Sequence, residues 1–296
     1  MEASILIVSR NRKEELSKTL DILRNYVDLN RNEISVFLDG CTDDSWMLKK
    51  IFPWVNWQSS ETKLGASKAR NILYKTAKGE VFFGFDDDAH PIQPNFIELS
   101  QALFAQKPTL GIIAFKEVKG VFDTDESIPK ELLIERNDLY VKEFLGCGFA
   151  IKKEIYDKTR GFPVWIDIYG EEICVALETL EMGYDILFSH KVMVNHRINT
   201  ELRKSEGSQY FRFGKQLKNT SFFYLVYYPF PLVFKKIGRL YFLNFKKYGL
   251  KDKYLFREYF FAMCQLIINM RKVLKHRRPV SRKTIEVFNS LPNPSY

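Results

Sequence analysis

Within about the first 85 residues, short apolar runs alternate four times with segments of helical period, and few architectures accept that pattern. Ser4–Val8, Ile34–Leu38, Trp54–Trp57 and Glu80–Phe85 read as strands. Between the first two, Glu14–Asn30 carries Leu16, Leu20, Leu23 and Val27 at spacings of four, three and four, the period of a helix. Asp43-Asp44-Ser45 caps a short helix through Phe52. Gly65–Lys78 lines up Ala69, Leu73 and Ala77 on one helix face, with Gly79 as its stop. Parallel strands need crossover segments, usually helices, so the pattern predicts an α/β fold: a doubly wound, Rossmann-like, mainly parallel sheet. Such sheets bind ligands beyond the carboxyl ends of their strands. Three polar clusters fall there: Ser9-Arg10-Asn11-Arg12, Asp39-Gly40-Cys41-Thr42-Asp43 and Asp86-Asp87-Asp88.

After residue 94 the alternation loosens. Asn95–Gln106 reads as a helix, and Leu110–Phe115 and Glu143–Ile151 as strands, with a polar, mobile loop around Asp123–Pro129. Glu171–Met182 is a helix that ends at Gly183. Tyr184–Phe188 and Val192–Asn195 are two short strands, closing at His196. His90, before Pro91, reads as a turn residue.

The stretch GFDDDAHP (84–91) places three carboxylates in a row at the end of an apolar strand. Like charges repel, so the group either faces water or awaits a positive partner. A strand-end D-x-D suits a hard divalent cation such as Mg²⁺ or Mn²⁺, which takes oxygen ligands and is often completed by substrate phosphates. On a continuing strand Asp86 and Asp88 share one side and Asp87 points away.

These residues resemble the family 2 inverting nucleotide-sugar glycosyltransferases of GT-A fold, over most of residues 3–199. ILIVSRNR is similar to the family's first strand and its N-R pair, and FLDGCTDDS to its D-G-S-T-D turn. GASKARNILYKTAKGEVFFGFDDD is similar to the G-x-x-x-A-R-N…A-x-G-E…D-x-D block. YGEEICVALETLEMGYDI resembles the later E-E helix and G-Y, and VNH the histidine beyond it. The resemblance implies that Asp39 meets the nucleotide base, with Ser9, Asn11 and Arg12 lining that pocket. Arg70 sits near the base or diphosphate, and Asp86 and Asp87 lie on the nucleotide side. Asp88 binds the metal, Mn²⁺ or Mg²⁺, with Asp86 beside it, and His196 either completes the coordination or contacts the diphosphate. Glu172 is the catalytic base. Glu171, Gly146, Cys147 and Gly148 border the sugar and acceptor. Trp165 is read either as a ring stacking on an acceptor sugar or as core packing. The implied reaction moves a sugar from a nucleotide diphosphate donor to a saccharide or lipid-linked acceptor with inversion, in cell-surface polysaccharide assembly.

Elementary chemistry fits those roles. A departing nucleoside diphosphate gathers negative charge that a cation stabilises. An acceptor hydroxyl needs a carboxylate to take its proton. Other chemistries lack their signatures: there is no GxxxxGK[ST] loop, no GxSxG elbow and no complete dinucleotide fingerprint. A sugar-nucleotidyltransferase, the second reading, expects a glycine- and arginine-rich loop after strand one, where SRNRKEE stands.

The third reading, a non-catalytic membrane-surface or polyanion-binding protein, comes from charge. Residues 200–296 hold 20 of the 45 Lys and Arg but only 5 of the 36 Asp and Glu. After the apolar, proline-broken FFYLVYYPFPLVF, the segments KKIGRLYFLNFKKYG and YLFREYFFAMCQLIINMRKVLKHRR interleave Lys and Arg with bulky aromatic and aliphatic residues near helical spacing. The expected organisation is a catalytic domain over 1–199 and a basic amphipathic helical region over 200–296, suited to an anionic membrane surface. No nucleic-acid module is recognisable. Four scattered cysteines form no metal or disulfide pattern, and neither a signal peptide nor a spanning run is read. The expected location is therefore cytoplasmic, on the inner face of a membrane. Asn289–Tyr296, with two prolines, reads as a frayed end.

Overall fold

The structure, a computed structural model, describes residues 1–198, 208–249 and 252–294. Strand alternation divides its interior in two. In β1 (Ala3–Ser9), Ala3, Ile5 and Ile7 join one apolar cluster with Leu16, Leu20 and Leu23 of α1 (Lys13–Tyr26). Leu6 and Val8 turn to the opposite cluster, with Ala69 and Leu73 of α3 (Ala66–Thr76). A period of two on the strand and near four on the helices thus puts a core on each face of the sheet.

The remaining elements of the first half are β2 (Glu33–Asp39), α2 (Leu48–Ile51), β3 (Asn56–Ser60) and β4 (Val81–Asp86). There follow β5 (Ala89–Pro91), α4 (Phe96–Gln106), β6 (Leu110–Lys119), β7 (Leu139–Tyr140), β8 (Gly148–Lys152), α5 (Lys153–Tyr156), α6 (Glu172–Glu181) and β9 (Asp185–His196). The sheet order is β3-β2-β1-β4-β8-β6-β9-β5, with β7 paired to β9. The run β3-β2-β1-β4 is parallel throughout. Farther out, β8 lies antiparallel between β4 and β6, and β9 returns parallel to β6. The chain winds outward from β1 to β3, then adds β4 on β1's other side. Strand order reverses there, and Ser9 and Asp86 end the two strands at that crevice.

Several expected elements differ in extent, each for a local reason. The third strand starts at Asn56 because a turn occupies the residues before it: Val55 N and Trp57 Nε1 both donate to the Phe52 carbonyl. The strand expected over 143–151 begins only at Gly148. The residues before it bend so that the Gly146 carbonyl meets Arg70 Nη2 at 3.3 Å. The two short strands expected over 184–195 are one strand, β9, with a register irregularity opposite Phe115 and Lys116. His90 is no turn residue: it lies in β5, 3% exposed, between Asp125 and Arg197. Asp125 thereby ties down the 123–129 loop, whose Ile128 is buried.

The basic region forms α7 (Ser208–Tyr227), α8 (Leu232–Asn244), α9 (Lys253–Leu274) and α10 (Arg282–Ser290). The boundary expected near residue 199 lies outside the described residues. The apolar cluster that holds Leu6 and Leu73 runs on without a break to Leu217, Phe223 and Val226. Polar contacts lock the same junction: Arg160 N and Nε donate to Glu178, as does the Tyr227 hydroxyl. Arg277 donates to the carbonyls of Leu225 and Tyr228 near the end of α7. The final segment is pinned where it was expected to fray, since Lys142 N donates to the Pro292 carbonyl. Tyr296 lies outside the described residues. Among those residues no helix is long and apolar enough to cross a membrane.

Asn219 of α7 is 1% exposed, and its Nδ2 donates to the carbonyls of Ile168 and Tyr169 at 2.7 and 2.8 Å. Asn219→Ala takes a buried donor from two half-buried carbonyls and is expected to cost about 2 kcal/mol. The melting midpoint should fall by roughly 4–8 °C in calorimetry. An unchanged midpoint would mean that the 167–170 loop is held by other contacts.

Candidate active site

At the crevice between β1 and β4, one guanidinium gathers three carboxylates. Arg70, on the inner face of α3, donates through Nη2 to Asp86 Oδ1 at 2.6 Å. Its Nη1 reaches Glu172 Oε1 at 3.0 Å and Glu171 Oε1 at 3.3 Å. Gly146 passes so close that a Cβ there would lie 2.5 Å from Arg70 Nη2 and Glu172 Oε1, so a side chain at 146 would push those two groups aside. Burial disfavours the charge on Arg70, but Asp86, Glu172 and Glu171 outweigh it and raise its pKa.

Glu171 stands at the N-cap of α6 and Glu172 opens it. They follow Tyr169 and Gly170, whose φ angles of 68° and 91° turn the chain sharply into the helix. Burial, then the neighbouring Glu172, pushes the Glu171 carboxyl up to about 8, against Arg70. Its Oε2 is buried with no hydrogen-bond partner. Burial likewise raises Glu172, with Arg70 opposing, but its side chain is 17% exposed and reachable.

Beyond Asp86 lies a second group. Ligand atoms of Asp86, Asp88 and His196 all fall within 4.8 Å of one another. Asp88 is held by Arg12 Nη2 at 2.7 Å and by His196 Nε2 at 3.3 Å. Burial works to raise its pKa, but those two cations win and bring it down to about 2. Two carboxylates and an imidazole suit Mn²⁺ or Mg²⁺, and the Asp86 side chain is 35% exposed. A second triple, Glu117, Cys147 and His196, also lies within 4.8 Å. It suits a metal less well: burial pushes the Cys147 thiol up to about 12, so it stays protonated.

Sequence reasoning missed Glu117. Its Oε1 meets His196 Nδ1 at 2.5 Å, the arrangement by which a carboxylate fixes a ligating imidazole. The signal was present as an acidic residue continuing a buried strand, but β6 was expected to stop at Phe115. Arg197 was missed too. Its backbone N donates to the Asp88 carbonyl, and its side chain binds Glu15, Thr19 and His90, fixing the triplet against α1.

The other singled-out residues are placed as follows. Asp87 is buried under Ser9 Oγ at 2.7 Å and Arg12 at 3.4 Å. Burial, with Asp88 adding to it, pushes Asp87 up to about 7 against Arg12. Asn11 joins the first two loops by exchanging hydrogen bonds with Thr42. Asp39 accepts the N–H groups of Leu64 and Gly65 at 2.6 and 3.0 Å, closing the loop before α3. Gly148 opens β8, and Cys147 beside it is buried. Trp165 packs on Tyr227 of α7, with ring centres 6.4 Å apart. A cavity of about 460 Å³ lined by Glu80, Lys152 and Asp157 lies where β4 begins, at the opposite rim.

This crevice, with its carboxylate rim on a parallel α/β half-sheet, is that of a GT-A glycosyltransferase. More particularly, residues 4–160, over half of the chain, match Glycosyl transferase family 2, and the chain belongs to that family. Solved structures with the same fold are distant in sequence. S. aureus TarS 1-349 in complex with UDP-GlcNAc is 14% identical over 93% of this chain and 91% of that one, with a TM-score of 0.58. The mannosyltransferase PcManGT from Pyrobaculum calidifontis, in complex with GDP-Man and Mn²⁺, is 16% identical over 98% and 79%, also at 0.58. GalNAc-T7 with UDP, GalNAc and Mn²⁺ is 17% identical over 68% of this chain but only 44% of its own, at 0.54. No curated protein matches the sequence.

Two measurements follow from this geometry. Glu171 binds its proton more tightly folded than unfolded, from an ordinary 4.5 to about 8. The folded state therefore holds the extra proton between those values, and stability from this group falls as pH rises through that window. In urea titrations, Glu171→Gln should flatten that fall, and an unchanged slope would exclude the assignment. For Glu117→Gln, calorimetric titration with Mn²⁺ should read affinity weakened roughly ten- to hundredfold. Equal affinity would leave Glu117 with no part in orienting His196.

Proposed function

We propose that this chain is a metal-dependent, inverting glycosyltransferase that moves a sugar from a nucleoside diphosphate to a hydroxyl acceptor. The observation that carries the reading is the convergence of Asp86, Asp88 and His196 within 4.8 Å, with Glu172 on the far side of Arg70. Asp86, Asp88 and His196 would hold the cation. When bound, the cation offsets the negative charge that grows on the departing diphosphate.

The chain's own residues account for the rest. Ser9, Asn11, Arg12 and Asp39 stand at the ends of β1 and β2, the side where the nucleotide belongs. Glu172 takes the proton of the acceptor hydroxyl as its oxygen attacks the anomeric carbon. The bond from that carbon to the diphosphate oxygen breaks on the opposite face, and the configuration inverts. Burial raises the proton affinity of Glu172, which suits a base, and Arg70 restrains its orientation. Gly146 to Gly148 border the sugar and acceptor. Glu171, buried and protonated beside Glu172, adds no second full charge. The finer reading places the reaction in cell-surface polysaccharide assembly, on a saccharide or lipid-linked acceptor, at the cytoplasmic face of a membrane. It rests on the family resemblance and the basic helices.

Thermal stabilisation by UDP, dTDP, GDP and CDP, each with Mn²⁺ or EDTA, tests donor and cation together. One nucleotide should raise the midpoint with metal only, and Asp88→Ala should abolish the shift. No metal-dependent shift with any of them would overturn the reading. Glu172→Gln should keep the shift while turnover falls by about 10²–10⁴.

A further inference from the structure

The C-terminal helices have two unlike faces. Toward the protein, α9 buries Ala262, Leu266 and Val273, and α8 buries Val233 and Tyr241. The helices also pack on each other, with the Tyr241 and Tyr259 rings 5.4 Å apart. This inner face accounts for their place in the fold. The outer face is not explained by it. On α9, Phe260, Phe261, Ile267 and Ile268 are 53, 55, 64 and 72% exposed. On α8, Phe234 and Phe242 are 67 and 66% exposed. They recur at the spacing of one helix side, as a solvated face would not.

Charge selects the occupant. From residue 232 to 278 there are 13 Lys and Arg against Asp252 and Glu258 alone. A second copy would bring two such basic faces together, which like-charge repulsion opposes. A polyanion would satisfy the lysines but leave the aliphatic side chains in water. An anionic bilayer meets both, taking aromatic and aliphatic groups at the headgroup boundary and Lys and Arg on its phosphates. None of the described helices can span, so the contact lies in the interface.

We infer that the outer faces of α8 and α9 dock this protein on an anionic lipid surface, lying in its plane. This names the surface behind the membrane placement proposed above and does not depend on the transfer chemistry. The docked helices are joined to the site through α7, which packs along α9. Lys215 and Lys218 of α7 hold Asp167, and Asn219 holds the next two carbonyls, just ahead of Glu172. Docking therefore anchors the element that sets the base-bearing helix, and a lipid-linked acceptor would meet it from that side.

The test is flotation of the full chain with vesicles of phosphatidylcholine, alone or mixed with phosphatidylglycerol, without nucleotide or metal. Wild type should float with the mixed vesicles and much less with phosphatidylcholine. Phe260→Ser/Phe261→Ser/Ile267→Ser/Ile268→Ser should lose partitioning roughly a hundredfold. Because these side chains are exposed, the melting midpoint and any nucleotide-dependent shift should stay as in wild type. Should that variant fold poorly, Arg271→Gln/Lys272→Gln/Lys275→Gln provides a second arm and should lose the preference for phosphatidylglycerol. Wild type that ignores both vesicles, or a quadruple variant that floats undiminished, overturns the inference. So does retention on heparin without vesicle binding, or a wild-type dimer that the quadruple variant makes monomeric. Loss of the nucleotide shift with vesicle binding intact would count against the transferase reading only.

Discussion

Much of this structure depends on the buried guanidinium of Arg70. Its side chain is 8% exposed, yet it faces Asp86, Glu171, Glu172 and a backbone carbonyl. Only arginine can meet that set, because its planar fork keeps its charge and presents five fixed donors. Glu171 and Glu172 are adjacent in sequence at a helix start, and without a cation both could not be buried ionised. Removing one partner of such a cluster typically costs about 3–5 kcal/mol, because uncompensated charge stays buried. The rim as a whole remains short of positive charge. Asp86, Asp87, Asp88, Glu117, Glu171 and Glu172 stand against Arg12, Arg70, Lys119 and His196. Burial resolves part of that deficit by raising the proton affinity of Asp87 and Glu171.

Topology explains how residues so far apart in sequence reach one place. Parallel strands all end on the same rim, so Ser9, Asp39 and Asp86 are neighbours before any side chain is considered. The mixed half of the sheet then brings in Glu117 from β6, Gly148 from β8 and His196 from β9. β5 pairs Ala89 with His196, which folds the end of the acidic triplet onto the last strand. Glu172 comes by another route, on a helix whose approach is fixed by α7 of the basic region. Although charge separates the two halves of the chain, the core does not.

The parallel half-sheet was legible from residues 3–86 because its signal is local. Each strand and each helix face can be read from a short window. The acidic triplet and the Glu pair were legible for the same reason. The partners of those groups were not, since they depend on which strands become neighbours. Arg70, for one, gathers Asp86 with the distant Glu171 and Glu172. Glu117 lay beyond the expected end of β6, and His90 was taken for a turn because Pro91 follows it. The tail was legible as amphipathic and basic, but its sequence is apolar on more than one side. Which aromatics face the protein and which face outward is decided by packing on α7, a tertiary fact.

The geometry also makes the two halves of the site interdependent. Arg70 Nη2 is bonded to Asp86, which belongs to the cation group, while Nη1 is bonded to Glu172, the candidate base. A ligand that claims the Asp86 oxygen competes with Arg70 for it. The guanidinium is rigid, so weakening one arm changes the orientation and charge seen by the other. Restraint on Glu172 would then be tightest in the free protein and altered as the cation and diphosphate arrive. Any change on the Asp86 side therefore passes toward Glu172 through Arg70. It follows from a single buried side chain that cannot satisfy both sides independently.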